Sequence, residues 1–228
     1  MISKLFLKTK EILKTSFVRD TVIMQAGSVF TTAVNIFGSV AFARILLPEK
    51  YGLYGLVFAF AGLLDLFMSW GVDKASLILF AEAYEKKDRE EIRNILVYFV
   101  KMTIIISLFV GIPGMIIAPI LSFYLYGNLY IGELVRIVVL ANIVSLFFTF
   151  TTMALQVMRR IKSYVFWDNF RNFLRVFGGT LLVFVMGLYG VLAAHLGAFV
   201  LSFIISIFLY IRLASKNELL PDFKEILS

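Results

Sequence analysis

Between Tyr164 and Met186 the sequence Y-V-F-W-D-N-F-R-N-F-L-R-V-F-G-G-T-L-L-V-F-V-M is largely apolar yet carries Asp168, Arg171 and Arg175. Their i, i+3 and i+7 spacing sets the three on one face of a helix. Charge at bilayer depth is costly, so such a face turns toward a protein interior, an aqueous cavity or an interface. The chemistry on offer is anion binding, because the planar guanidinium fork meets phosphate oxygens two at a time. Asp168 is spaced to hold Arg171 in position. The competing reading of the same residues is an ion pair that stabilises the bundle, its shallow members snorkelling to headgroups.

Other polar side chains interrupt apolar stretches. Asp65 has no loop near it and is expected to pair with Arg171, Arg175 or Lys101, or else to reach a cavity and couple transport to a proton or cation. Gln25 and Asn35 either share a cavity face or supply hydrogen bonds between helices. Asp73 and Lys74 are adjacent and so point differently, and Lys74 is the cavity candidate of the two. His195 is the sole histidine, without the carboxylate or cysteine spacing of a metal or catalytic site, and is expected to serve packing or one polar contact. There is no cysteine, which excludes disulfides and thiolate metal sites. A phosphate-binding Gly-rich loop ending in Lys-Ser/Thr and a His-Glu-x-x-His helix are absent too. The chain is therefore read as not an enzyme and as needing no cofactor or metal.

The elements that hold these residues follow from composition. Apolar residues make up 61% of the 228, mean hydropathy is +0.91, and ordinary soluble domains run at roughly 45–50% apolar. Repeated runs long enough to cross about 30 Å of hydrocarbon predict an all-α, polytopic membrane protein. The approximate spans are 22–45, 51–80, 95–118, 134–157, 164–186 and 191–213, within a membrane unit over 18–213. Residues 1–17 read as an interfacial amphipathic segment and 214–228 as a cytoplasmic tail. The second span is too long for one crossing and is expected to tilt or to break at Gly71. Gly111-Ile112-Pro113-Gly114 is expected to bend the third. Asp88 and Glu91 have capping-box-like spacing. The aromatic piece 121–133 is expected to be an outer-face loop at headgroup level.

The net charge of +7 could invite nucleic acid, but the basic residues lie in short clusters between apolar runs. An even number of spans puts both termini on one side. Setting that side as cytoplasmic gathers Lys4, Lys8, Lys10, Lys14 and Arg19, then Lys86, Lys87, Arg89 and Arg93, then Arg159, Arg160 and Lys162, then Arg212, Lys216 and Lys224 there. Chiefly Arg44, Lys50 and Arg136 remain for the other side, the asymmetry expected of a plasma-membrane protein with both ends inside.

The stretch Ala43-Arg44, Pro48, Glu49, Tyr51-Gly52, Tyr54-Gly55, followed by Gly71-Val72-Asp73 and a D-R-E-E loop, resembles the amino-terminal half of the polysaccharide biosynthesis and export proteins. These are oligosaccharide flippases of the multidrug/oligosaccharidyl-lipid/polysaccharide exporter superfamily, related to the lipid II flippase. The resemblance implies one six-helix lobe of a two-lobe transporter with a central cavity. Arg44, Pro48, Tyr51, Gly52, Gly55, Gly71 and Asp73 would be its structural motif, with Pro48 and Gly52 fixing the first turn. Gln25, Asn35, Asp65, Lys74, Asp168, Arg171 and Arg175 would be its cavity candidates. The implied activity is movement of polyprenyl-pyrophosphate sugars across the membrane, the arginines drawing the pyrophosphate. Implied partners are membrane lipids, a lipid-linked oligosaccharide, and a second lobe from another copy or a partner protein. Alternatives are a multidrug or cation-coupled exporter lobe, and a nontransporting scaffold or truncated remnant in polysaccharide biosynthesis.

Overall fold

The computed structural model describes residues 16–68, 71–221 and 225, and over these the chain is all-α. The interfacial segment expected at 1–17 lies almost wholly outside the described residues. The helices are α1 (Ser16–Met68), α2 (Val72–Lys86), α3 (Arg89–Ile106), α4 (Ile112–Tyr126), α5 (Leu129–Val157), α6 (Ile161–Met186) and α7 (Leu188–Ala214). A single π-helical turn, Ser107–Gly111, joins α3 to α4 just ahead of Pro113. Proline has no amide proton to give to the ladder, and the widened turn absorbs that gap.

α1 is two arms. Leu47 breaks the helix with φ 64° and ψ 161°, and Pro48 restarts it. The arms, 16–46 and 48–68, fold back on each other: the Ser39 hydroxyl is 3.0 Å from the Tyr51 hydroxyl, and the Phe42 and Tyr54 rings are 5.7 Å apart. Residues 12 apart in a continuous helix would be separated by about 18 Å. The turn is thus made by Leu47 and Pro48, and Gly52 has no part in its backbone, correcting the expectation from the motif. Among the described residues, no neighbour lies within 4 Å of a Cβ built at Gly52 or Gly55.

The break expected at Gly71 is present: α1 ends at Met68, α2 starts at Val72, and Gly71 has φ 75°. At the α2–α3 turn, Lys87 N donates to Tyr84 O and Asp88 N to Ala83 O, a C-terminal cap that satisfies two otherwise orphaned carbonyls. The Asp88 carboxylate then accepts from Glu91 N at 3.0 Å. Replacing Asp88 by alanine is expected to cost about 1 kcal/mol, measurable as a lowered unfolding midpoint in detergent.

The aromatic piece is not a loop. α4 runs to Tyr126 and α5 starts at Leu129, so the turn is only Gly127–Asn128. Nor does all of the tail leave the bundle: the Tyr210 hydroxyl donates to Pro221 O at 3.0 Å, Asn217 Nδ2 to the Tyr84 hydroxyl at 2.9 Å, and Leu220 is buried. The helices outrun the hydropathic spans because backbone hydrogen bonding continues where the hydrocarbon ends.

Four stretches among the described residues are long and apolar enough to cross a membrane: Val18–Met68, Arg89–Tyr126, Leu129–Val157 and Leu188–Ala214. The sequence expectation counted six. Val18–Met68 is itself the folded-back pair of arms, and α6 falls short because its first half is polar.

Two cores hold the bundle. One joins Phe42, Leu46, Val57 and Phe60 of α1 to Leu134, Val135 and Val138 of α5 and Val191 and Leu192 of α7. The other joins Phe80 of α2, Ile92 and Leu96 of α3, Phe150 and Met153 of α5, and Tyr210 and Leu213 of α7. Near the first, a groove of about 690 Å³ brings together Pro48, Glu49 and Lys50, Asn128, and Gly187, the turns of one end. At the opposite end Arg159 sits 3.9 Å from Glu85, and Arg89 pairs with Glu225 at 3.1 Å. The basic turns Lys86–Arg89 and Arg159–Lys162 therefore share that end.

Candidate functional site

Between the two cores, the polar face of α6 meets the first arm of α1. A Cβ at Gly38 would stand 2.7 Å from Val176 Cγ1, so glycine there lets the backbones approach. Polar side chains interlock along the seam. The Thr31 hydroxyl donates to Asn169 Oδ1, and Asn172 Nδ2 reaches Thr31 O at 3.5 Å. Arg175 Nη2 donates to both Asn35 Oδ1 and Asn172 Oδ1 at 2.7 Å. Thr31, Asn169 and Asn172 were not singled out in the sequence. Their signal was present, since Thr31 is four residues from Asn35 and Asn172 three from both Asn169 and Arg175.

One turn earlier, Arg171 Nη2 donates to Asp168 Oδ1 at 2.6 Å. Its guanidinium carbon also lies 4.6 Å from the Phe148 ring centroid and 5.0 Å from that of Phe199. Arg171 is thus held by a carboxylate and two aromatic faces, contacts that stabilise a partly desolvated cation.

The two arginines open into different cavities. The first, about 220 Å³, is lined by Asp73, Lys74, Thr149, Thr152, Gln156, Tyr164, Asp168 and Arg171. Its two carboxylates balance its two cations. The second, about 290 Å³, is lined by Asn35, Gly38, Ser39, Phe42, Tyr54, Phe58, Arg175, Val176, Val191 and His195. Among the described residues Arg175 is the only charged group in its lining, so this cavity is cationic. Asp73 and Lys74, although adjacent, line the same cavity.

Two expectations are not met. Asp65 has no basic partner within 4 Å among the described residues, so the pairing with Arg171, Arg175 or Lys101 is absent; it lies half-buried on the second arm of α1. Gln25 is exposed and lines neither cavity, whereas Asn35 lines the second. Ten residues turn a helix by about 280°, which carries Gln25 off the Asn35 face. Arg44 is exposed near the end of the first arm. Among the described residues no group of three or more His, Cys, Asp or Glu side chains could hold a metal ion.

The family model described as "Polysaccharide biosynthesis protein" matches residues 17–228. No curated protein matches the chain. Among solved structures, it is similar to a MOP superfamily transporter from Pyrococcus furiosus Vc1, described as having a binding pocket of reverse polarity that suggests a different function. TM-score there is 0.73 and identity 17%, over 93% of this chain and 50% of that one. It is similar as well to a multidrug resistance MATE family transporter of the MOP superfamily in an outward-facing conformation, with TM-score 0.69 and 20% identity over 93% and 50%. At such identities the likeness establishes the fold alone, and the chain spans half the length of each structure. The family match covers the motif residues, the hinged α1 and the polar seam on α6 alike: this multi-pass membrane chain belongs to the polysaccharide biosynthesis protein family.

Proposed function

We propose that the chain is one lobe of an exporter that moves an anionic amphiphile, of the lipid-linked sugar phosphate class, across the plasma membrane. The observation that carries this is the second cavity, which holds Arg175 and no carboxylate. The α6 face as a whole sets two guanidinium groups against one carboxylate. A cationic, partly desolvated wall draws phosphate oxygens, while an isoprenoid tail would stay in lipid. The lobe extends over 18–213 and crosses six times, with 16–46, 48–68 continued by α2, α3 with α4, α5, α6 and α7 as the crossings. Both ends face the cytoplasm, with 1–17 at the interface and the tail against the inner ends of α2 and α3. The shared end of Lys86 and Arg160 supports that orientation. A second lobe, from another copy or a partner chain, completes the central cavity and permits alternating access.

A second reading has its own support. The likeness to a multidrug MATE transporter, together with Asp73 and Asp168 in the first cavity, suits export of a cationic drug. Reconstitution in vesicles separates the two. Polyprenyl-pyrophosphate oligosaccharide is expected to change leaflet, scored by its accessibility to an external reagent, with the oligomer size recorded. Efflux of an organic cation without sugar-lipid exchange would select the drug exporter, and neither activity would select a scaffold. Cysteines placed at Lys86 and Arg160 are expected to label only from the cytoplasmic face, and labelling from opposite faces would overturn the six-crossing topology.

A further inference from the structure

His195 is 5% exposed, and neither ring nitrogen has a hydrogen-bond partner among the described residues. A buried imidazole normally gives at least one nitrogen to a carbonyl, hydroxyl or carboxylate, because leaving it unpaired forfeits solvation that nothing replaces. The ring is held edge-to-face by Phe58 at 5.2 Å and tilted against Phe199 at 4.8 Å, contacts that a phenylalanine would make equally well. Packing therefore explains the ring but not the nitrogens. The side chain lines the same cavity as Arg175, Asn35 and Tyr54.

That cavity is rich in unused donors. Of the five N–H groups of Arg175, only those on Nη2 meet the two asparagine oxygens, which leaves Nε and Nη1 without a partner among the described residues. The Asn35 amide nitrogen and the Tyr54 hydroxyl likewise make no hydrogen bond there, whereas Arg171 next door is already held by Asp168 and two rings. A metal ion is disfavoured beside a guanidinium with no carboxylate in the lining, and a cationic ligand is disfavoured for the same reason. What complements four donors around one positive charge is a group with several acceptor oxygens and a negative charge.

We propose that this cavity, between the arms of α1, α6 and α7, is an oxyanion site in which Arg175 supplies the charge and His195, Asn35 and Tyr54 direct N–H and O–H groups at the bound oxygens. The ligand class is a phosphoryl or carboxylate group on the head of the transported amphiphile. His195 is a binding residue in this site. The inference rests on the anionic-amphiphile reading for its biological ligand, but equilibrium binding tests it without transport.

The test uses the full chain in detergent, with inorganic pyrophosphate and glucuronate as separate probes titrated by calorimetry. Either probe is expected to bind, and the stronger one tells whether phosphoryl or carboxylate is the cognate group. Arg175→Gln is expected to remove binding. His195→Phe should weaken it about tenfold or more, and His195→Gln, which keeps a donor, by only about two- to threefold. Lys101→Gln, at an exposed cation outside the cavity, should leave the affinity unchanged. Melting curves in detergent confirm that each variant folds. Binding of neither probe overturns the proposal, as does unchanged affinity in a folded His195→Phe. Leaflet exchange in vesicles made from the same wild-type preparation keeps the two readings apart: exchange without probe binding sinks the oxyanion site and leaves the transporter standing.

Discussion

Replacing Gly132 by alanine is expected to be among the most destabilising single changes in this protein. A Cβ there would lie 2.3 Å from Pro119 Cα, 2.4 Å from Ala118 O and 2.5 Å from Ala118 C. All three are backbone atoms, so no side-chain rotation relieves the clash, and α4 and α5 must separate. The same contact carries a polar node. Ser122, fully buried, accepts from Gly132 N at 3.0 Å, and its hydroxyl lies 2.8 Å from Pro119 O and 2.9 Å from Asn128 O. In a regular helix start the Gly132 amide would donate to the carbonyl of the N-cap residue Asn128; here the Ser122 hydroxyl stands between them, accepting from Gly132 N and lying within hydrogen-bond distance of Asn128 O. Overpacking costs about 1–3 kcal/mol and losing the node adds about 1 kcal/mol per hydrogen bond, so a total of roughly 3–5 kcal/mol is expected. Gly114→Ala is the control, since its Cβ would meet Leu64 at an ordinary 3.6 Å. Thermal unfolding in detergent should show a large loss for Gly132→Ala and little change for Gly114→Ala. Equal melting of the two would mean that α4 and α5 are not this close.

The largest functional effect is expected at Arg175. Arg175→Ala removes the only charge that the described residues place in the second cavity and leaves the oxygens of Asn35 and Asn172 without their shared donor. A hydrogen bond to a charged group is worth about 1.5–3 kcal/mol, or roughly ten- to a hundredfold in rate if it forms with the substrate during transport. Leaflet exchange of a polyprenyl-pyrophosphate sugar should fall by at least about tenfold. Arg175→Lys should restore only part of it, because an ammonium keeps the charge and loses the planar fork. Arg171→Ala differs in kind: it strips the partner from Asp168 and the cation from between Phe148 and Phe199, so its signature is a lowered melting temperature. Undiminished exchange in a folded Arg175→Ala protein would remove that residue from the transport path.

Much of this architecture was readable residue by residue. Pro48 announced the fold-back of α1, Gly71 the break before α2, and Asp88 the start of α3, because each acts through backbone conformation or a capping bond within a few residues of itself. The spacing of Asp168, Arg171 and Arg175 likewise predicted one face and one ion pair, since i, i+3 geometry is local to a helix. Misreadings arose where local signals were ambiguous. Aromatic residues at 121–133 suit a membrane interface whether or not they are helical, and only the Gly127–Asn128 turn separates α4 from α5.

From the chain alone follow membrane residence, an all-helical build, the family, and a cationic face on α6: hydropathy, periodicity and motif are properties of single segments, written in the order of residues. Tertiary structure alone decided that Arg171 and Arg175 open into different cavities, that Asn35 joins the site while Gln25 does not, and that, among the described residues, Asp65 finds no basic partner and His195 is buried without a hydrogen bond. Those outcomes depend on the rotation and offset of one helix against another. Close contacts such as Gly38 against Val176 and Gly132 against Pro119 set that offset, and they join residues far apart in sequence.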